Sequence, residues 1–474
     1  MGFIENIKNK RMPNRGLSGN MDQGLKRTIL LLFGIGLFGC SDFVEVGPPK
    51  NILISETVFQ DPATVESAIA NLFYTMREQG MVSGSYGLTT LMGIYSDDLD
   101  YYGFDPDYSQ FYLHTVSAGN SVVLDWWSQA YYLIYDANDI IKGVEGSDAL
   151  APEEKYRFKG QALFVRAYVH SLLVSVYGNI PYITTTDYLE NNAVPRLPVE
   201  TVYDNIITDL TDAVGMLENV DDISGERVFP DQWAAKALAA RMYLYTENWE
   251  RAAAMATELI DAFSLEPDLE DVFLKESSET IWQLKPGDSP RNTQEANQLI
   301  IQFIPGQLYA LTDNLLAAFE SGDQRMVHWT GSTSSEDSTV TLHFAHKYKA
   351  LFSETESVEY SILFRLAEQY LIRSEARVHL GDVSGAQQDL NAIRNRAGLA
   401  NIGQNDLLGA ILRERRVELF AEQGHRWFDL GRTENASELL WAIKPNWQVT
   451  DILLPIPESE LEINPNLLPQ NSGY

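Results

Sequence analysis

Two stretches of this chain repeat one another, and the unit they repeat is a helical hairpin. Residues Trp233–Phe263 carry apolar side chains at helical spacing, break at Glu247-Asn248, and resume. Residues Leu366–Ala397 do the same around Gly381-Asp382. Sliding one on the other by 134 positions matches Leu238 with Ile372, Trp249 with Val383, Ala252 with Ala386 and Leu259 with Ile393. Alanine at the crossing lets two helices approach closely, and such a hairpin must stack on others to bury its shared face. The pattern predicts an all-α body of tetratricopeptide-like helical hairpins. With 474 residues, 45% of them hydrophobic, the chain can bury a large core.

The rest of the chain extends this reading. Asp61-Pro62 looks like a helix start, with Asp as cap and Pro in the first turn. Val65, Ile69 and Leu72/Phe73 follow at spacings of three and four. Tyr156–Tyr177 is apolar nearly all round, which predicts a buried helix, ended by Gly178 and Pro181. A further helix is expected from near Val199 to Leu217. The hairpins should occupy about 56–263 and 360–435. Residues 264–359 are mixed and loop-rich and read as an inserted lobe with a few short strands. The tail, 450–474, contains Pro455, Pro457 and Pro465; proline at that density predicts an extended course over the body without helix.

The N-terminus carries a different signal. Lys26 and Arg27 precede an apolar run, Ile29–Gly39, that ends at Cys40, the one cysteine of the chain. The run is too short for a span of about 20 residues but fits a signal-peptide core. Leu37-Phe38-Gly39-Cys40 resembles a bacterial lipobox, which implies removal of 1–39 and a lipid on Cys40. Met21 reads as the natural start and 1–20 as an extension; 40–55, with Gly47-Pro48-Pro49, reads as a tether. A net charge of -31 repels phosphate backbones and argues against nucleic acid as a partner.

Ordered motifs along the body resemble the RagB/SusD family. Trp127, Tyr131, Ile134, Ala137 and Asn138 look like its early W-x3-Y-x2-I-x2-A-N helix. Arg166-Ala167-Tyr168 and Tyr177-Gly178-Asn179-Ile180-Pro181 look like its next block. Arg196 with Tyr203, Ile206, Asp209 and Leu210, then Ala240–Leu244 and Trp249, resemble the helices that follow. The most specific blocks are Glu368–Ala376, Leu390–Gly398, Glu414-Arg415, Glu418-Leu419, Glu422, Gly424, Arg426–Leu430 and Arg432. Ser374 departs from the more usual Ala. The resemblance implies a lipid-anchored protein on the extracellular face of the outer membrane. It implies a SusC-like TonB-dependent transporter as partner, to which the protein delivers a bound oligosaccharide or polysaccharide. Capture of peptides or other nutrients by the same lid action, a helical-repeat protein scaffold, and a surface glycosidase are the alternatives.

The chemistry visible in the residues favours binding over catalysis. The chain lacks a nucleophile elbow, a phosphate loop, a dinucleotide fingerprint and a His-x3-His zinc pair with its Glu, so no cofactor or metal is expected. Arg415, Glu418, Glu422, Arg426 and Asp429 fall three or four apart, which predicts one charged helical face. Buried arginines need carboxylate partners, so this row reads as an ion-pair network. Sugar rings stack on aromatic faces, and their hydroxyls need polar side chains set on loops. Two clusters have those parts. The first holds Tyr95, Asp97, Asp98, Tyr101, Tyr102 and Phe104; the second holds Phe303, Tyr309 and Trp329 with Asp313 and Arg325. From them, Tyr101, Tyr102, Tyr309 and Trp329 are expected to stack on ligand, with Asp97 and Asp98 hydrogen-bonding to it.

Overall fold

Asp61 caps the first long helix: its carboxylate accepts a hydrogen bond from the Ala63 N–H at 3.1 Å, and Pro62 takes the first helical position. This is helix α1 (Pro62–Glu78) of a computed structural model that describes residues 55–220, 225–289 and 291–474. Cys40 and the segment around it lie outside the described residues. Next come α2 (Leu88–Tyr95), strand β1 (Leu99–Tyr101) and α3 (Pro106–Leu113). Three long helices follow: α4 (Ser121–Gly146), α5 (Pro152–Tyr177) and α6 (Val199–Leu217). The all-round apolar sequence of α5 is explained by its neighbours, since it packs against both α4 and α6. Arg166 of α5 ties the three together. It donates to both Asp209 carboxylate oxygens in α6, at 2.7 and 2.6 Å, and to Asn138 in α4 at 2.8 Å.

The repeated hairpins are present, with equivalent turns. The first pairs α7 (Gln232–Tyr245) with α8 (Trp249–Ala262). The second, after β6, pairs α9 (Leu366–His379) with α10 (Val383–Arg396). Glu247 and Gly381, which the repeat aligns, both have left-handed backbone, with φ of 57° and 81°. The next residues, Asn248 and Asp382, cap the second helix of each hairpin through the N–H groups of Arg251 and Gly385. The hairpins stack through α8 and α9, where Ala252, Ala256 and Ala376 are fully buried and Trp249 lies flat on His379 at 3.9 Å.

Between the hairpins run β2 (Thr280–Leu284), β3 (Tyr309–Leu311), β4 (Thr330–Ser334), β5 (Thr341–Ala345) and β6 (Ser361–Arg365). Among the described residues the strands form three antiparallel pairs, β1 with β3, β2 with β6 and β4 with β5. All five residues of both β2 and β6 are buried. Trp282 of β2 meets Phe73 of α1, Phe164 and Tyr168 of α5, and Phe364 of β6 with ring centroids 4.9–5.9 Å apart. This strand pair therefore joins the long helices to the second hairpin through one aromatic core. The all-α, hairpin-built fold with a few short strands holds. No helix among the described residues is long and apolar enough to cross a membrane.

Two local expectations are corrected. The charged row of Arg415 to Asp429 is not one helical face. The chain leaves α11 (Leu407–Leu419), turns through left-handed Ala421, Gln423 and Gly424, and starts again as α12 (His425–Arg432). Its members pair across the fold. Glu418 receives Arg325 and Arg365 at 2.8 and 2.6 Å and also Arg396, while Glu422 receives Arg365 and Lys347. The tail is not free of helix either. A turn of helix, Glu458–Ile463, begins directly after Pro457, and a 3-10 turn begins at Pro465. Proline is excluded from helix interiors but is compatible with their first turn.

Candidate functional site

Tyr101 of the first loop cluster and Tyr309 of the second meet on one short ladder. Strand β1 pairs with β3 in the register Leu99 to Leu311, Asp100 to Ala310 and Tyr101 to Tyr309. The Tyr102 N–H extends the ladder by donating to the Leu308 carbonyl at 2.8 Å. Beyond this point the ladder ends. Tyr101 folds back beneath the turn, its ring 5.8 Å from Tyr309 and 6.1 Å from Tyr108, and its hydroxyl accepts the Asp105 N–H at 3.0 Å. Gly103 permits this, because a Cβ there would lie 2.4 Å from the Tyr101 hydroxyl oxygen.

The turn leaves aromatic surface bare. Phe104 is 98% exposed, Phe303 63% and Tyr102 39%. The Phe303 ring lies against Gly306, where a Cβ would sit 2.0 Å from the ring. Leu308 is exposed between these residues and the ladder. Burial raises the Tyr102 hydroxyl above its ordinary pKa, and the nearby carboxylates of Asp100 and Asp313 add to this. Asp100 also accepts a hydrogen bond from the Tyr112 hydroxyl at 2.9 Å. We call these exposed rings, on the two segments that leave the ladder, the aromatic shelf; carboxylate acceptors lie near its Tyr102. The shelf can cover the apolar face of a flat ring while accepting hydrogen bonds from hydroxyls at its rim.

Several of the expected ligand residues serve the scaffold instead. Trp329 is fully buried. Its indole N–H donates to the Leu269 carbonyl at 2.9 Å, Phe273 packs edge-on at 5.4 Å, and the Lys347 ammonium sits 4.9 Å above the ring. Tyr309 is buried under Tyr101. Neither presents a face for stacking. Asp97 and Asp98 are buried as well. Arg426 grips Asp97 at 2.6 and 3.0 Å, and Arg416 reaches Asp97 at 2.8 Å and Asp98 at 3.2 Å. Burial alone would raise the Asp97 carboxyl, but Arg426 and Arg416 hold it below its ordinary value. These aspartates pin the start of β1 to α11 and α12.

Arg325 is likewise enclosed, paired with Asp323, Glu414 and Glu418. Tyr101 is half-buried and Tyr102 remains at the surface. Phe104 and Phe303, present in the two clusters but not among the four expected stackers, are the most exposed rings at this end of the ladder. The signal that could have found them is the glycine near each, Gly103 and Gly306, which marks a sharp turn.

Comparison with known proteins matches this chain to two family descriptions. Residues 42–244 match a family described as starch-binding, associating with the outer membrane, and residues 313–451 match the SusD family. Two SusD-like proteins of Formosa agariphila are 28% and 25% identical, covering 95% and 94% of this chain and 99% and 98% of theirs. Among solved structures, a SusD superfamily protein of Bacteroides vulgatus superposes with a TM-score of 0.77 at 20% identity, covering 88% of this chain and all of the other. A laminarin-binding SusD-like protein superposes with a TM-score of 0.75 at 22% identity, covering 87% and 99%.

Proposed function

This chain belongs to the RagB/SusD family, and from that premise we propose that it captures an oligosaccharide on the shelf formed by Tyr102, Phe104 and Phe303. The observation that carries the reading is the exposure of Tyr102, Phe104 and Phe303 on the segments next to the two-stranded ladder, with Asp100 and Asp313 near Tyr102. A protein that did not use this surface would gain by burying or replacing it. A family relative described as laminarin-binding supports a glucan as the first ligand to try. Binding proceeds without cleavage in this reading, which is supported by Asp97 and Asp98, adjacent carboxylates just before β1, being held by Arg416 and Arg426 in buried ion pairs.

Cys40 carries the lipid that holds the protein at the extracellular face of the outer membrane, and the bound glycan passes to a SusC-like TonB-dependent transporter. Affinity electrophoresis against laminarin, starch and other glycans tests the capture step. The wild type is expected to be retarded by at least one glycan, and Phe104→Ala, Phe303→Ala and Tyr102→Ala each to migrate faster. Retention unchanged in all three variants would move the site elsewhere, and shortening of the glycan on incubation would overturn the binding-only reading. Co-isolation with the transporter from detergent-solubilised membranes tests delivery.

A further inference from the structure

A second aromatic cavity, sharing no lining residue with the shelf, opens where α4 meets the C-terminal tail. Its volume is about 320 Å³, at the lower end of the roughly 300–1,000 Å³ typical of small-ligand sites. Trp127, Tyr131 and Tyr135 line it from one face of α4, four residues apart. Tyr188 enters from the short helix Tyr188–Asn191 and Glu460 from the turn Glu458–Ile463. Trp127 is nearly buried, with its ring 4.9 Å from that of Tyr131. The Tyr131 hydroxyl donates to the Pro181 carbonyl at 2.9 Å, which fixes that ring in place. Tyr135 and Tyr188 stand at the opening, 42% and 68% exposed.

Glu460 gives the cavity its character. The Trp127 indole hydrogen-bonds to its carboxylate, and burial raises its pKa. Among the described residues no lysine, arginine or histidine forms an ion pair with it. Lys142, two turns along α4 from Tyr135, contacts Thr186 and does not line the cavity. A partly desolvated carboxylate without a counter-charge is costly to keep. Aromatic faces around it attract a cation through their quadrupole.

We propose that this cavity binds an organic cation, an alkylammonium group enclosed by Trp127, Tyr131, Tyr135 and Tyr188 and neutralised by Glu460. A neutral sugar ring would leave the carboxylate uncompensated, whereas an ammonium satisfies both the rings and the charge. The group can come from an amino sugar or from a lysyl side chain. The inference does not depend on the shelf being a glycan site.

Saturation-transfer NMR and calorimetry on the purified full-length protein test it. The probes are choline and its uncharged isostere 3,3-dimethyl-1-butanol, glucosamine and glucose, and Nα-acetyl-lysine amide and Nα-acetyl-norleucine amide. At least one of the three cations is expected to bind, about tenfold or more tighter than its neutral counterpart. Glu460→Gln and Tyr188→Ala are each expected to weaken that binding about tenfold without lowering the melting temperature. Preference for glucosamine assigns the amino sugar as source, and preference for the lysyl amide assigns a peptide. Binding of every cation no tighter than that of its neutral counterpart, or no binding by any cation, overturns the proposal.

Discussion

At Trp329 the indole is enclosed on every side, whereas at Phe104 the ring projects into solvent. Trp329→Ala should therefore cost about 3–5 kcal/mol, the range for losing a large buried aromatic, read as a lower melting temperature. Phe104→Ala should shift stability by no more than about 0.5 kcal/mol while reducing glycan retention. A normal melt for Trp329→Ala would contradict its placement in the core. Buried histidines add a pH dependence. Burial pushes His170 down to about 3 and His425 down to about 4. In the first, Nδ1 is bonded to the Arg166 carbonyl at 2.8 Å and Nε2 to the Ile183 N–H at 3.2 Å, an arrangement that fits only the neutral ring. The unfolded chain protonates its histidines near pH 6.5, so below that pH it binds more protons than the folded chain and stability falls. Glu368 adds a second loss. Burial would raise it, but Arg241 holds it down to about 2, so its contribution disappears as pH falls from its ordinary 4.5. The melting temperature is expected to decline on acidification from about pH 6.5 and more steeply below about 4.5. A flat profile between those values would refute the histidine assignment.

Besides the aromatic core around Trp282, alanine crossings and buried ion pairs join elements in this protein. Ala252 and Ala386 occupy equivalent positions in the two hairpins and both are fully buried. Replacing either by Leu should cost about 1–3 kcal/mol through overpacking, and the two costs should be similar because the positions are structurally equivalent. Thermal melts of both variants, compared side by side, check this. The ion pairs hold the later elements. Glu418 of α11 is shared by Arg325, by Arg365 at the end of β6, and by Arg396 at the end of α10. Burial would raise its pKa, but these three guanidinium groups hold it well below the ordinary range. Glu418→Ala removes one carboxylate from three buried cations, each of which keeps another acidic partner, and should cost about 3–5 kcal/mol. Chemical denaturation with an unchanged midpoint would show that the network contributes nothing. Arg426→Ala should cost less than Glu418→Ala, since it breaks its ion pair with Asp97, which keeps Arg416, whereas Glu418→Ala breaks three.

For the whole molecule, the proposed roles divide between separate parts of the chain. The shelf sits on the unit Ser55–Tyr474, while the proposed anchor is Cys40. Cys40→Ala is expected to release the protein from membranes while leaving its glycan retention intact, measured by fractionation and by affinity electrophoresis on the released protein. Wild-type protein that takes up no lipid label would refute the anchor. Loss of glycan retention on release would show that the shelf depends on the membrane or on the transporter.

The hairpins, their turns and the burial of α5 were legible in the sequence because each depends on local periodicity. A helix buries the face its apolar residues occupy, and Glu247-Asn248 and Gly381-Asp382 break it at equivalent points. The network was legible only in part: Arg415, Glu418, Glu422, Arg426 and Asp429 read as structural, but Asp97, which Arg426 meets from across 329 positions, read as a ligand contact. Exposure in the loops was not legible at all. Trp329 and Tyr309 lie in stretches as irregular as those of Phe104 and Phe303. What separates them is whether another segment covers the ring, and that is decided by contacts between residues far apart in the chain. Leu269, Phe273 and Lys347 close over Trp329, Tyr101 folds over Tyr309 because Gly103 makes room, and Phe104 is left at the surface by that same turn.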